Sequence, residues 1–577
     1  MTQLVRDAVR AAIAAALDDA QQHGALPRLP GAEIAVERPQ KPEHGDYASS
    51  VALRLAGTVK RKPLDVAQAI ADSIQTGPLI DAVEVAPPGF INLRLSPHWK
   101  REQVNDILAD PHAWGSIDIG HGQKLQVEFV SANPTGPLQV GNGRGAVLGD
   151  ALASVLAAAG YNVEREYYVN DAGTQVRVFA ETLHVRYQQH FGRDVEVPAE
   201  GYQGRYIVDL AEAIAADVGQ QYLQPEGAPP PPSDQPDPLA TEGLRRMLDQ
   251  IRADLGLLGI NFDQWFSEAS LLSPRDALDG RSVYDTAMAR LREGGHVVEK
   301  EGAVWFASSS DDDKDNVIVR SSGEPTYFAT DIAYHFDKFA LRRFDRVINV
   351  WGADHQGHVA RTKAATAAVA GAANAQAEHG LEMLLYQLVH LRRGGERVRM
   401  SKRTGELVTL RELVQEVGPD VTRYFMLERS ADAQMDFDLE LATSQDPKQN
   451  PVSYVQYAHA RCASILRTAA AEGLDAPTPE STADVQLLVE PTEIALIDAM
   501  LRLPELVELM ATKLEPHHLT TYALELAQQF TQFYGACRVV DPSAPDRSRA
   551  RLKLTRAAQI VLARALGLMG VAAPDEM

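Results

Sequence analysis

The sequence predicts an α/β protein: a doubly wound, Rossmann-like parallel sheet with a small α/β module before it and an all-helical region after it. Three stretches predict this. Residues 125–169 read strand, loop, helix, strand, the opening of a parallel sheet with crossover helices. Residues 347–350 form a second buried strand, delivering Trp351-Gly352-Ala353-Asp354-His355-Gln356 to its C-terminal end. Beyond Pro451 the apolar residues recur almost wholly at helical spacing.

Composition bounds the function classes. The chain has 577 residues, 45% hydrophobic and 23% charged, an ordinary globular composition with room for about four domains. General disorder and fibrous repeats are excluded. Lys and Arg total 56 against 78 Asp and Glu, a net charge of −22, so any RNA partner must be met by local basic patches. Two cysteines, Cys462 and Cys537, cannot make a disulfide framework or a Cys-rich zinc site, and they suit a reducing cytoplasm. No apolar stretch approaches the roughly 18 residues that would span a bilayer. Residues 4–17 read as a surface helix, not a signal segment. A cytoplasmic protein with no membrane partner is expected.

Taken in order, residues 1–115 read as the small module, with helices near 5–17 and 63–73 and an alternating strand at 90–95. The catalytic sheet is expected over 118–190 and 270–385. It opens with a buried strand at 125–130, a loop at 132–137, an Ala-rich helix at 140–159 stopped by Gly160, and a strand at 163–169. Residues 191–269 are expected as an insertion, with an exposed Pro-rich loop around Pro225 to Pro238, and the sheet pattern resumes near 304–306 and 317–319. Residues 386–445 read as a linking region with a hairpin signal at Gly394-Gly395, and 446–577 as the helical domain.

The segment Pro137-Leu138-Gln139-Val140-Gly141-Asn142-Gly143-Arg144 joins the first strand to the long helix. Glycines at 141 and 143 would let a ligand approach the backbone, and free N–H groups of a helix start suit phosphate. Gln139 and Asn142 add neutral amide donors. Such turns also serve packing alone. Arg399-Met400-Ser401-Lys402-Arg403-Thr404-Gly405 is a basic loop able to clamp a transferring group, although many such loops are simply solvated. The pairing of both motifs across an insertion is the informative observation.

Together these motifs resemble the two signatures of class I aminoacyl-tRNA synthetases. Val127 to Pro137, Asn170-Asp171-Ala172-Gly173-Thr174-Gln175, Asp331-Ile332-Ala333-Tyr334-His335, Trp351 to His358 and Asn450 to Arg461 resemble arginyl-tRNA synthetases of the bacterial type. The resemblance spans essentially the whole chain. It implies an arginine–tRNA ligase using ATP, with Mg²⁺ arriving on the nucleotide, and with L-arginine and tRNA(Arg) as partners; a monomer is expected. By position it implies catalytic roles for Gln139, Gly141, Asn142, Lys402 and Arg403, and ATP contacts at Pro137, Gly143, Gly352, Asp354, His355, Val398, Met400 and Ser401. Val398 could equally be core. Arginine contacts are implied at Glu128, Ser131, Asn133, Tyr327 and Asp331, and tRNA contacts at Phe90, Asn92, Tyr454, Tyr457 and Arg461.

Two departures stand out. Gln139 and Asn142 occupy positions where the family carries histidines, so amide donors survive but no cation can form there. Arg399 replaces the first lysine of the second signature, while Lys402 keeps the other. The pocket acids also have plainer readings: Asp331 as a helix N-cap, and Glu128 as a buried acid that needs a partner. Basic patches at Lys60-Arg61-Lys62 and at Arg549, Lys553 and Arg556 are candidate RNA surfaces, or ordinary helix faces. Two rivals stay open at this point: a weakened relative that only binds arginine or tRNA, and a class I synthetase for another amino acid.

Overall fold

Leu125 and Val127 are fully buried because their strand lies at the centre of a five-stranded parallel sheet. In this computed structural model the described residues are 4–577 without 30, 226–236, 308–315, 371–379, 399–407, 445, 475–477, 480 and 482. The sheet comprises β1 (Lys124–Glu128), β2 (Asn162–Val169), β3 (Gln264–Ser267), β4 (Arg346–Gly352) and β5 (Leu381–Tyr386), in the order β5-β4-β1-β2-β3. All four pairings are parallel, with Val127 opposite Ile348 on one side and Arg165 on the other. The doubly wound expectation holds.

Between β1 and β2 runs α1 (Val140–Ala158), buried along most of its length. Its glycines explain how so close a fit is possible. A Cβ on Gly149 would fall 2.2 Å from Phe129 Cγ, and one on Gly145 would fall 2.7 Å from the Tyr386 hydroxyl. Alternation along β2 feeds two cores: Tyr167 and Val169 join the large cluster under α1, and Tyr168 joins a second cluster. That second cluster also holds α2 (Tyr327–Phe336) and the helix Val359–Ala370.

Two boundaries move. The strand β3 lies inside the span read as insertion, and pairs with β2 from Glu166 opposite Gln264 to Val169 opposite Ser267. Four residues of mixed polarity carry too little periodicity to announce a strand. Conversely, the helix Thr174–His190, read as part of the sheet domain, packs with the insertion helices Arg205–Val218 and Pro238–Leu257 around Phe179, Leu183 and Tyr187. The segments near 304–306 and 317–319 do not resume the parallel sheet. They form a separate antiparallel sheet with Val297–Lys300, which their short length and turn spacing favour.

The N-terminal module is a three-stranded antiparallel sheet, Tyr47–Ser49, Phe90–Leu95 and Ile80–Ala86, with three helices around its own core. After the sheet, Gly394 and Gly395 turn a hairpin at φ 60° and 77°. Then come α3 (Leu410–Val417) and the helical region, including α4 (Pro451–Ala471), α5 (His518–Ala536) and α6 (Pro545–Met569). Arg423, almost fully buried, ties three parts together. Its guanidinium donates to the Met569 carbonyl (2.6 Å), the Leu258 carbonyl (2.9 Å) and Asp150 Oδ2 (2.5 Å). No helix among the described residues is long and apolar enough to cross a membrane.

Candidate active site

Doubly wound sheets place ligands at strand C-termini, and the predicted residues gather there. β1 stops at Glu128, short of the strand read to Val130, because Val130 and Ser131 adopt left-handed conformations at φ 67° and 42°. For a β-branched residue this is strained, by about 1–3 kcal/mol. The bend aims Ser131 back at its own strand: Ser131 Oγ donates to Glu128 Oε1 (3.0 Å) and accepts the Tyr168 N–H (3.1 Å). Asn133, farther along, donates to Gln175 Oε1.

Glu128 does find a partner. Lys338 Nζ, wholly buried, donates to Glu128 Oε2 (2.6 Å) and to Asn349 Oδ1 (3.1 Å), and lies 4.0 Å from the centre of the Tyr334 ring. Asn349 Nδ2 in turn reaches His335 Nε2 (3.1 Å), whose Nδ1 meets the Asp331 carbonyl (2.7 Å). Burial first, then the Lys338 charge, pushes His335 down to about 3, so it stays neutral. The Glu128 charge is therefore largely neutralised from within. Asp331 is not a helix N-cap: Thr326 holds that position and Asp331 sits in the interior of α2.

Two further acids are held with raised pKa values, Asp331 and Glu268, and the second was not foreseen from the sequence. Burial, then the charges of Glu128 and Glu268, pushes Asp331 up to about 7 against the lesser pull of Arg361 and Lys338. Burial raises Glu268 to about 7, with Asp171 adding to it and a hydrogen bond from Thr330 Oγ1 (2.9 Å) opposing it. Glu268 Oε2 is buried without a hydrogen-bond partner. Glu268, Thr330 and the exposed Tyr327 line one cavity of about 670 Å³ that also reaches Arg177, His184, Asp237 and Arg320. Only a polar stripe in an otherwise apolar helix, with Asp331, His335 and Lys338 at i, i+4 and i+7, could have flagged Lys338; nothing along the chain flags Glu268.

The two signature glycines part company. A Cβ on Gly141 would meet nothing within 4 Å, so this residue keeps an open approach to the first-turn amides. A Cβ on Gly143 would fall 2.7 Å from Leu410 Cδ1, so Gly143 is buried for packing against α3 and not for ligand approach. The same junction is sewn by the Leu410 N–H to the Leu138 carbonyl (2.8 Å). Asn142 Oδ1 accepts the Gln139 N–H (3.0 Å), which fixes the amide and leaves Nδ2 as its donor. Pro137 is half-buried beside them. Across the sheet end, Gly352 is followed by Asp354 and His355, whose side chains are exposed, with the His355 ring 5.8 Å from that of Trp351. Val398 closes the hairpin onto Leu391 (2.9 Å) and packs half-buried on the main core. Met400, Ser401, Lys402 and Arg403 lie outside the described residues.

Three family models match in order along the chain: arginyl tRNA synthetase N terminal domain at 5–95, class I (R) tRNA synthetase catalytic domain at 103–454, and DALR anticodon binding domain at 455–577. The chain belongs to the arginyl-tRNA synthetase family. It is 49% identical to an arginine–tRNA ligase of Dehalococcoides mccartyi over 574 residues, 99% of both chains. It is 44% identical to one of Heliobacterium modesticaldum over 579 residues, 100% of this chain and 99% of that one. Solved arginyl-tRNA synthetases from Thermus thermophilus (TM-score 0.70, 24% identity, 99% and 100% covered) and Plasmodium falciparum (0.71, 16%, 100% and 100%) share the fold.

The synthetase's expected RNA contacts divide. In α4, Tyr457 is exposed and Arg461 lies 5.0 Å from its ring centre and 5.4 Å from that of Tyr534 on α5, an aromatic the sequence did not single out. Tyr454 bonds Thr531 Oγ1 (3.1 Å). Lys60, Arg61 and Lys62 are exposed, and Phe90 is half-buried. Asn92 is buried, because its strand is the middle one of three. Lys553 is no RNA surface: it is buried, with Nζ on Asn105 Oδ1 (2.9 Å) and the carbonyls of Ser481 (3.1 Å) and Pro479 (3.3 Å). Helical spacing put it on one face with Arg549 and Arg556, but of the three Lys553 is covered while Arg549 stays half-exposed and Arg556 exposed.

Proposed function

We infer that this enzyme is an arginine–tRNA ligase: it activates L-arginine with ATP to arginyl-adenylate and pyrophosphate, then transfers arginine to the 3′ end of tRNA(Arg). The observation that supports the substrate assignment is the pair Asp331, half-buried, and Glu268, buried with Oε2 unpartnered, at the end of a class I synthetase sheet. A planar guanidinium with five donors suits such a pair. Glu128, neutralised by Lys338, with Ser131, Asn133 and Tyr327, is left to orient the rest of the amino acid. The arginine carboxylate attacks the ATP α-phosphate, so no side chain serves as nucleophile, and catalysis is positioning plus charge stabilisation.

ATP fits the open first turn of α1, with Gly141 giving access and Gln139 and Asn142 donating to phosphate. Gly352, Asp354 and His355 face it from the end of β4, and Mg²⁺ enters on the nucleotide. Lys402 and Arg403 would stabilise the departing pyrophosphate. Tyr454, Tyr457, Arg461 and Tyr534 suit unstacked anticodon bases. Lys60 to Lys62 and Phe90 suit the body of the tRNA. A monomer in the cytoplasm is the working state.

The test is ATP–pyrophosphate exchange across a panel of amino acids, with and without tRNA(Arg). Exchange is expected with arginine alone of the panel, and only when tRNA is bound. Absence of exchange in protein that still binds tRNA would overturn the assignment in favour of a binding module. A second measurement addresses the amides. Restoring histidine at both positions (Q139H/N142H) is expected to change the exchange rate by less than about tenfold, since both donors already exist. A gain of several orders of magnitude would mean that the amides are a defective substitute.

A further inference from the structure

Glu268 stands on a single turn of 3₁₀ helix (Glu268–Leu271) directly after β3, with no neighbour along the chain that would hold its carboxylate in place. Its Oε1 accepts from Thr330 Oγ1 of α2 (2.9 Å), and the turn that carries it is held from another loop. Asp171, at the end of β2, accepts the Ser267 hydroxyl at Oδ2 (2.5 Å) and the Ala269 N–H at Oδ1 (2.9 Å). The two bonds bracket Glu268 on both sides of the chain. We propose that Asp171 is a positioning residue for arginine recognition, clamping residues 267 and 269 so that the Glu268 carboxylate is presented to the guanidinium. This rests on the arginine pocket described above.

Three features support a dedicated clamp. First, a carboxylate bridging a hydroxyl and a backbone amide fixes two torsions of the turn at once, which one hydrogen bond cannot do. Second, Glu268 is 3% exposed with Oε2 unpartnered, so a small rotation of its turn would move an unsatisfied acid; Asp171 is the acceptor that reaches the turn on both sides of Glu268, alongside the Ser270 hydroxyl on the Ser267 carbonyl (2.6 Å) and Thr330 Oγ1 on Glu268 Oε1 (2.9 Å). Third, Asp171 carries a like charge close to Glu268, a cost that a purely structural bracket would avoid by using an amide. The groups facing Glu268 are Tyr168 from β2, Thr330 and Asp331 from α2, and Asp171 itself, with Arg177 and Arg320 elsewhere on the same cavity.

The experiment compares D171N, S267A, E268Q and D171N/E268Q by steady-state exchange as a function of pH, with melting temperatures as a control for folding. D171N is expected to raise the KM for arginine at least about threefold while leaving the KM for ATP unchanged. Because it also removes a negative charge beside Glu268, the rise of arginine KM toward acid pH should begin at lower pH than in the wild type. S267A keeps that charge and loses one bond, so it should raise KM without moving the pH limb. In the E268Q background D171N should add nothing. Additive effects in the double variant, or equal effects on the KM for ATP, would overturn the proposal while leaving the pocket intact. An E268Q enzyme with unchanged arginine KM would overturn both.

Discussion

D331N is expected to lower kcat/KM for arginine by about 30- to 4000-fold, with the KM for ATP little changed. Truncating one side of a buried charge pair costs about 2–5 kcal/mol, and here the amide also cannot accept two guanidinium bonds as a carboxylate does. A D331N enzyme with wild-type arginine KM would remove Asp331 from the pocket. The wild-type pH profile follows from the same site. In the free enzyme Asp331 and Glu268 each ionise near 7, pushed up by burial and by their neighbours' charge. Arginine remains a cation throughout, so below about pH 7 it must displace protons to bind, and its KM should climb as pH falls. The stability consequence has its own sign. Folded pKa values near 7 against unfolded ones near 4 mean that the folded state holds more protons between those limits. The arginine-free enzyme thus loses stability from this pair as pH rises from about 4 to about 7. Added arginine should therefore raise the melting temperature more at pH 8 than at pH 6.

R423M is expected to destabilise the enzyme by about 3–5 kcal/mol, the cost of leaving a buried acid and two carbonyls without their cation. Arg423 joins the Asp150 carboxylate of α1, the Leu258 carbonyl ahead of β3 and the last turn of α6. Arg165 remains on Asp150 (2.9 Å) and softens the loss. Chemical denaturation is the measurement, with R393A as the control. Arg393 pairs with Glu416 where both are exposed, and removing it should cost no more than about 1 kcal/mol. Equal effects of the two substitutions would show that the buried junction is not what holds the helical region to the sheet.

Legibility followed the length and purity of each pattern. α1 and the central strands were readable because long apolar periods have one physical solution, and the two signature motifs because a strand, a glycine turn and a helix start are all local. Three kinds of feature were not. β3 is four residues long, below what alternation can reveal. Gly141 and Gly143 are chemically identical in the sequence, and only the partner across the gap, open space or Leu410, separates them. Glu268 and Lys338 take their roles from contacts with Asp331 and Glu128 that no local pattern encodes. Lys553 shows the opposite error: a basic residue rightly placed on a helix face, yet itself covered by residues far away along the chain.

The order of strands in the sheet bears on synthesis. β1 leaves the ribosome with β2 close behind it, but its other neighbour, β4, follows roughly 220 residues later. At about 5–20 residues per second, the central strand waits about 10–40 s with one edge unpaired. A nascent chain stalled between β3 and β4 should therefore present an open hydrogen-bonding edge to chaperones or to other nascent chains, and slow codons placed in that interval would lengthen the exposure.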